Sequence, residues 1–491
     1  MLLHNARISG AAGDGPVSVR VNNGTIESIG NLTSDDLLSE PSGELETVVD
    51  LGGRWLSPGL WDNHVHFNQW ALHSRRLDVS QAESAAETAT LVAAAIAAAD
   101  LQPDEVLTGV GFRDGLWPDA PLASVLDGVS GPHPVALVSG DLHSAWLNSR
   151  ALELFGFAGH PTGLLREDDA FRAQGLMNTV SDAILDRYVQ VAAAAAAARG
   201  IVGIVDMEMA YNHDSWSRRS AAGFDLLRVE FGVYPQHLDR AIAQGLRGGD
   251  TITELVKVGP FKVITDGSLN TRTAFCYDAY PEVSSDSDRG ILTVDPEELR
   301  ELMATASAAG FRPAVHAIGD KANTLALDAF EAIGCHGTIE HAQLLHQSDI
   351  TRFAKLGVVA SVQPEHALDD RDVADLYWAG RTGGAFMLRS LLDSGATLAF
   401  GSDAPVAPLD PWVTMAAAVG RTRDGRAPWH PEQRISAAEA LAASVRSRVA
   451  VGEPADLVVT ESNPVDADAE SLRSMRVAAT LLGGRFTFNA L

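Results

Sequence analysis

The chain predicts an α/β fold, a (β/α)₈ TIM barrel, on three observations. The first is a rhythm of helix, glycine and short apolar strand that recurs at residues 181–206, 304–316, 349–363 and 386–403. Glycine is the residue that ends a helix in a left-handed cap, and alternating helices and buried strands build a parallel sheet. The second is the polar residue that closes each of these strands, Asp206, His316, Gln363 and Asp403, because barrel active sites lie at strand C-termini. The third is length: 491 residues exceed one small core and accommodate a barrel of about 250 residues or more with an accessory domain.

In chain order, residues 2–9 and 17–29 alternate apolar and polar side chains around Asn22-Asn23-Gly24, a hairpin signal. A polar, helix-poor piece follows at 31–46, and Thr47-Val48-Val49-Asp50 leads into the stretch from Arg54 to Phe67. That stretch reads as a strand with a Pro58-Gly59 break near its start and His64 and His66 at its end. Alternation turns both histidines to one face and Val65 to the other. Two imidazoles so presented suit one metal ion or one edge of a two-metal site; a surface strand with incidental histidines is the competing reading.

Residues 75–190 change character. Ser80-Gln81-Ala82-Glu83 matches a capping box ahead of an alanine-rich helix reaching Ala99, and 105–111 and 134–139 read as strands. This block is expected to be an α+β insertion after strand 1 that covers or shapes a site. Strands at 226–234, 255–264 and 337–340 bring the barrel count to eight if the opening stretch is strand one. After about residue 445 strands return, at 454–460 and, interrupted by Gly483-Gly484, at 476–488. The expected domains are therefore a composite β-sandwich from 1–57 and 445–491, and a barrel from 58–444 with its insertion.

A formal net charge of −27 repels phosphates, which excludes a nucleic-acid groove or an anionic membrane surface as partner. Two cysteines, Cys276 and Cys335, make no disulfide framework, and a reducing cytoplasm fits. The N-terminus lacks the features of a secretion signal, and the longest apolar run, 191–198, is too short to span a bilayer. The expectation is a cytoplasmic protein with a small-molecule substrate; a homo-oligomer is left open.

Six residues at strand ends carry the chemistry: His64, His66, Lys262, His316, His341 and Asp403. Neutral imidazoles and a carboxylate converging on a barrel mouth make a divalent metal site. An unmodified Lys262 there would be both desolvated and repelled, whereas carboxylation by CO₂ would turn it into an anionic carbamate. The alternatives are that Lys262 snorkels or pairs with Asp266, or that Lys257 takes its role.

The motifs Pro58-Gly59-Leu60-Trp61-Asp62-Asn63-His64-Val65-His66, Gly140-Asp141-Leu142-His143-Ser144-Ala145-Trp146, Lys262-Val263-Ile264-Thr265-Asp266-Gly267-Ser268-Leu269, His316-Ala317-Ile318-Gly319-Asp320-Lys321-Ala322, Ile339-Glu340-His341-Ala342-Gln343, Gly401-Ser402-Asp403-Ala404-Pro405 and Ala455-Asp456-Leu457-Val458-Val459 follow in this order over nearly the whole chain. In them the chain resembles the amidohydrolase superfamily, and within it the amidohydrolase-3 group of YtcJ-like and N-substituted formamide deformylase-like enzymes. The resemblance implies one or two divalent ions, usually zinc. His64 and His66 would hold the more buried ion, carboxylated Lys262 would bridge, and His316 and His341 would hold the more exposed one. Asp403 would touch the buried ion and shuttle the proton. Asn270-Thr271 and Thr338 depart from the group's usual Gly-Ser and arginine, which bears on substrate contacts.

The implied activity is hydrolysis of an amide-type C–N bond other than a peptide bond (N-formyl, N-acyl or cyclic amide) by metal-activated hydroxide. A lactonase or esterase on the same centre and a non-catalytic metal-binding relative are the alternatives. Substrate contacts are expected from His143, Gln363, His366, Asp266 and Asp320, the last two alternatively as partners that orient ligands. Trp70, Trp117, Trp378 and Trp429 either line an apolar pocket or pack in the core.

Overall fold

Eight short apolar segments pair side by side in chain order: β1 (Leu60–Val65), β2 (Ile201–Asp206), β3 (Arg228–Val233), β4 (Val256–Ile264), β5 (Pro313–Ala317), β6 (Thr338–His341), β7 (Val359–Val362) and β8 (Leu398–Phe400). Every pairing is parallel, and the strands are largely buried, as such a sheet requires. The free edges of β8 and β1 meet just past their ends. There the Asp403 amide donates to the His64 carbonyl at 2.7 Å and the His66 amide to that of Ala404 at 2.9 Å. The computed structural model describes residues 1–11, 13, 15–31, 47–99, 101–102, 105–140, 144–177, 179–281 and 288–491. All but the first residue of the segment expected to be helix-poor, 31–46, lies outside them.

The rhythm read in the sequence is the βα rhythm of this barrel. Gly200, Gly310, Gly357 and Gly395 all take left-handed φ values, 85°, 90°, 65° and 85°. The strand after Gly200 begins at Ile201 as expected, whereas those expected from Phe311, Val358 and Ala396 begin one or two residues later, because the first apolar residue after the glycine still serves the helix. The amides of Phe311, Val358 and Ala396 donate back to the carbonyls of Ala306, Phe353 and Leu391, closing the helix cap.

A second sheet takes strands from both chain ends, in the order Arg485–Asn489, Val477–Leu482, Leu457–Thr460, Trp55–Pro58, Leu2–Ile8, Val17–Asn22, Thr25–Gly30, with Val48–Asp50 beside Leu2–Ile8. Its hairpin turns at Asn23 (φ 46°) and Gly24 (φ 77°), the two positive values of a type I′ turn. The stretch from Arg54 to Phe67 is thus two strands in two sheets, Trp55–Pro58 here and β1 in the barrel. Gly59 separates them; its amide donates to the Asp456 carbonyl at 2.8 Å, and a Cβ on it would lie 2.3 Å from a Val202 methyl. The Asp456 carboxylate takes two bonds from Arg228 (2.6 and 3.0 Å) and one from the Gly483 amide (2.8 Å), clamping the end sheet to β3.

The chain divides into two compact units, Met1–Phe67 with Ala193–Leu491, and Asn68–Ala192. The second holds a five-stranded sheet ordered Leu164–Arg166, Ser144–Leu147, Val135–Ser139, Leu107–Phe112, Leu77–Asp78. Its helix Ala85–Ala98 is capped by Ser84, whose hydroxyl accepts from the Glu87 amide at 3.1 Å, not by Ser80. Both serines satisfy the same four-residue pattern, but the Ser80 amide is taken by the Asp78 carboxylate at 2.8 Å at the end of a strand, which delays the helix. Trp117 packs beside the buried Trp146 here; in the first unit Trp378 and Trp429 sit in an apolar cluster, and Trp70 is half-buried in the helix Phe67–His73. Cys276 and Cys335 are free thiols. Among the described residues no helix is long and apolar enough to cross a membrane.

The junction yields a stability test. Gly59→Ala should destabilise the protein by about 1 to 3 kcal/mol in chemical denaturation, because the added methyl displaces a buried β-branched side chain. Gly383→Ala, where a Cβ meets open space, should leave the midpoint near the wild-type value.

Candidate metal centre

The seam between β8 and β1 builds the site. The Asp62 carboxylate accepts from the Ser402 amide (3.0 and 3.1 Å) and from the His64 amide (3.0 Å), and the Asn63 side-chain amide donates to the Phe400 carbonyl at 2.9 Å. Burial pushes Asp62 up to about 7 despite these donors. With the backbones so fixed, Asp403 Oδ1 stands 3.6 Å from His64 Nε2 and 3.4 Å from His66 Nε2. Asp403 itself holds φ at 56°, a left-handed value that costs energy in any non-glycine residue and is concentrated at functional sites. Asp206, which closes β2, is spent on structure: it accepts from the amides of Phe67 and Glu208 (both 3.1 Å) and from the Trp216 indole (2.8 Å).

The register of β4 to β7 sets the interior. In-register partners of a parallel sheet share a face, so Lys262, Ala314 and Thr338 form one layer and His316, Glu340 and Ser361 the next. Alternation therefore turns Glu340 inward from β6. Its Oε2 accepts from His64 Nδ1 at 2.6 Å, with both side chains 1% exposed, and Oε1 takes the Thr338 hydroxyl. His341, the next residue, reaches the site through φ 74°, followed by Ala342 at 41°. Its ring lies 5.0 Å from that of His64 and 4.4 Å from that of His316, and stacks at 6.3 Å on His366.

Two groups of three donors result, His64, His66 and Asp403, and His341, His366 and Asp403, with the donor atoms of each within 4.8 Å of one another. Burial draws His64 down to about 4 and His341 well below its ordinary value, so both are neutral at pH 7. Burial works against ionisation of Asp403, but its bond to His66 and the surrounding imidazoles hold it well below the usual carboxylate range. Because Nδ1 of His64 donates to Glu340, its Nε2 lone pair faces the Asp403 carboxylate, acceptor against acceptor. A divalent cation resolves that conflict. Bonds of about 2.0 to 2.2 Å in a tetrahedron separate donors by about 3.3 to 3.6 Å, which the 3.4 and 3.6 Å spacings satisfy. His366 Nε2 stands 4.0 Å from Asp403 Oδ2, wider than that geometry. His66 Nδ1, His341 Nδ1, His366 Nε2 and Lys262 Nζ are buried without a hydrogen-bond partner.

The remaining expected residues are distributed as follows. Lys262 is buried in the interior layer with its amine lowered by burial, while Lys257 is exposed. His316 Nε2 is 3.3 Å from Asp266 Oδ1 and 3.4 Å from the Gly267 carbonyl, and it belongs to neither donor group. The Asp266 carboxylate accepts from the amides of Phe275 (2.9 Å), Ile318 (3.0 Å) and Gly319 (2.9 Å); that of Asp320 accepts from Tyr277 and Lys321 (both 2.9 Å). These two carboxylates organise the loops after β4 and β5. Gln363 is buried at the end of β7 and bonds the Ser361 carbonyl at 3.4 Å. His143 lies outside the described residues. Glu340 and Asp62 were not singled out in the sequence; the available signal was a carboxylate inside an apolar strand, beside or two residues before a ligand histidine.

The sequence profile of the Amidohydrolase family matches residues 47–488. Among curated proteins the chain is 29% identical to Protein LONG AFTER FAR-RED 3 of Arabidopsis thaliana, over 95% of this chain and 88% of that one. It is 27% identical to the Putative amidohydrolase YtcJ of Bacillus subtilis (97% and 96%) and 25% identical to the N-substituted formamide deformylase of Arthrobacter pascens (98% and 96%). Among solved structures, an uncharacterized metal-dependent hydrolase from Pyrococcus furiosus superposes with a TM-score of 0.76 at 24% identity, covering 95% of this chain and 99% of that one, which shows the shared fold. With a match to nearly the whole chain and a barrel whose mouth gathers the motif residues, this protein belongs to the amidohydrolase family.

Proposed function

We propose that this protein is a metal-dependent hydrolase of an amide-type C–N bond in a small molecule, of the N-formyl, N-acyl or cyclic amide kind. The observation that carries the reading is the convergence of His64, His66 and Asp403, with both histidines at spacings from Asp403 that a tetrahedral ion satisfies. The likeness to a protein named for deformylating N-substituted formamides supports the C–N assignment. A divalent ion, zinc by its preference for imidazole and carboxylate donors, would polarise the substrate carbonyl and acidify water at neutral pH.

The chain's own residues supply the rest. His64, His66 and Asp403 would hold the ion. Asp403 Oδ2, turned toward His366, accepts the proton of the attacking water and returns it to the nitrogen of the departing amine as the C–N bond breaks. Lys262, a buried amine without a hydrogen-bond partner, is the group that CO₂ would carboxylate, the neutral amine losing a proton as the new C–N bond of an anionic carbamate forms. Gln363 and His366, on the segment after β7, would face the substrate.

Incubation with N-formyl amines, N-acyl amino acids, cyclic amides and lactones, with and without added zinc, tests the reading. Zinc-dependent release of an amine is the expected result. Turnover of lactones alone would make it a C–O hydrolase, and no turnover with metal bound would make it a non-catalytic relative. Asp403→Asn should lower kcat about 10²- to 10⁴-fold while most of the metal is retained; undiminished turnover would remove Asp403 from its role.

The metal-free protein should show a defined pH dependence. His64 titrates near 4 in the folded state against 6.5 when free, so the unfolded chain binds the extra proton between these values. The contribution of His64 to stability is therefore full above pH 6.5 and lost as pH falls toward 4, whereas that of Asp62, raised to about 7, runs the opposite way. Denaturation of wild type and His64→Gln compared across this range should show the difference between them change with that His64 slope.

A further inference from the structure

We propose that Glu340 is the positioning residue of the metal centre: it fixes His64 in the tautomer whose Nε2 lone pair faces the ion and, as a buried anion, strengthens that lone pair as a donor. The inference rests on the functional reading only in taking the ion to be a divalent metal. Three observations carry it. Glu340 Oε2 stands 2.6 Å from His64 Nδ1, and its other oxygen is engaged by the Thr338 hydroxyl, so the carboxylate cannot rotate away. Both side chains are 1% exposed, which keeps water from competing for Nδ1 and keeps Glu340 out of reach of any substrate. The opposite face of the same imidazole is aimed at Asp403 Oδ1, 3.6 Å off, so the ring is held between two carboxylates with one proton on the Glu340 side. A backbone carbonyl would suffice to choose a tautomer. A charged acceptor also raises ligand basicity.

The division of labour on β6 follows. Alternation turns Glu340 inward, and the left-handed backbone at His341 brings its neighbour to the same centre, so one strand end supplies both a candidate ligand and the residue that orients another. His66, whose Nδ1 is buried without a partner, has no such carboxylate. His64 is then the anchored ligand of the pair and His66 the adaptable one.

Titration of the metal-free protein with Zn²⁺ against a chelating indicator tests this without any substrate. Removing a carboxylate that orients a ligand histidine costs about 10- to 100-fold in metal affinity. Glu340→Ala should show that loss. Glu340→Gln, whose amide oxygen still accepts from Nδ1, should show a smaller one. Glu340→Asp, which keeps the charge but falls short of the ring, should behave like Glu340→Ala and serves if that variant does not fold. The visible absorption of the Co²⁺-loaded forms should change in parallel, since it reports the His64 bond directly. Wild-type zinc affinity and cobalt spectra in the variants, with or without a lower unfolding midpoint of the metal-free protein, would overturn the proposal while leaving the functional reading intact. Failure of the wild-type protein to take up zinc would overturn both.

Discussion

The hydrogen bond from the Asp403 amide to the His64 carbonyl carries the fold and the site together. It joins the last strand of the barrel to the first, and it is made by the two residues whose side chains face each other across the candidate metal position. Closing the sheet and assembling the donor group are therefore one event. Asp62 and Asn63 sew the same seam from the other side, and Gly401 permits it, since a Cβ there would lie 2.6 Å from the His64 nitrogen. A metal ion that binds only the closed barrel stabilises that closure by mass action, so the fold and its cofactor are thermodynamically linked.

Within this frame the electrostatics are those of a site built for a cation. The neutral His64 imidazole and the ionised Asp403 carboxylate face each other lone pair to lone pair, an arrangement that a bridging positive charge makes favourable. Glu340 is held at about 2, because the bond from His64 and the nearby Lys262 outweigh the upward push of burial. Left-handed backbone at His341 and Asp403 is the conformational cost of bringing these groups together, and the hydrogen bonds along the seam hold it in place.

The barrel was legible because its punctuation is chemical. Four glycines that only a left-handed cap explains mark the helix ends, and polar residues mark the strand ends. Three strand starts, those after Gly310, Gly357 and Gly395, were misplaced by a residue or two because the helix cap claims the next amide, a bond that no hydropathy pattern records. His64, His66, Lys262, His316, His341 and Asp403 were readable as strand-end residues, and the family resemblance added the roles of Lys262, His316 and His341. Glu340 was not readable. It adjoins His341, alternation permits only one of the two to face inward, and the left-handed turn that admits both is set by tertiary structure. His366 entered the donor group through contacts between segments far apart in sequence, and Asp266 and Asp320 accept from loop amides, with Asp266 also 3.3 Å from His316 Nε2.

The central claim is that the closed seam holds a divalent ion between His64, His66 and Asp403. Anomalous diffraction from crystals grown with zinc, collected on either side of the zinc absorption edge, tests it most directly. The account predicts a peak within about 2.0 to 2.2 Å of His64 Nε2, His66 Nε2 and Asp403 Oδ1. A barrel mouth without anomalous signal, or a peak bound elsewhere with Asp403 turned away from both histidines, would contradict it.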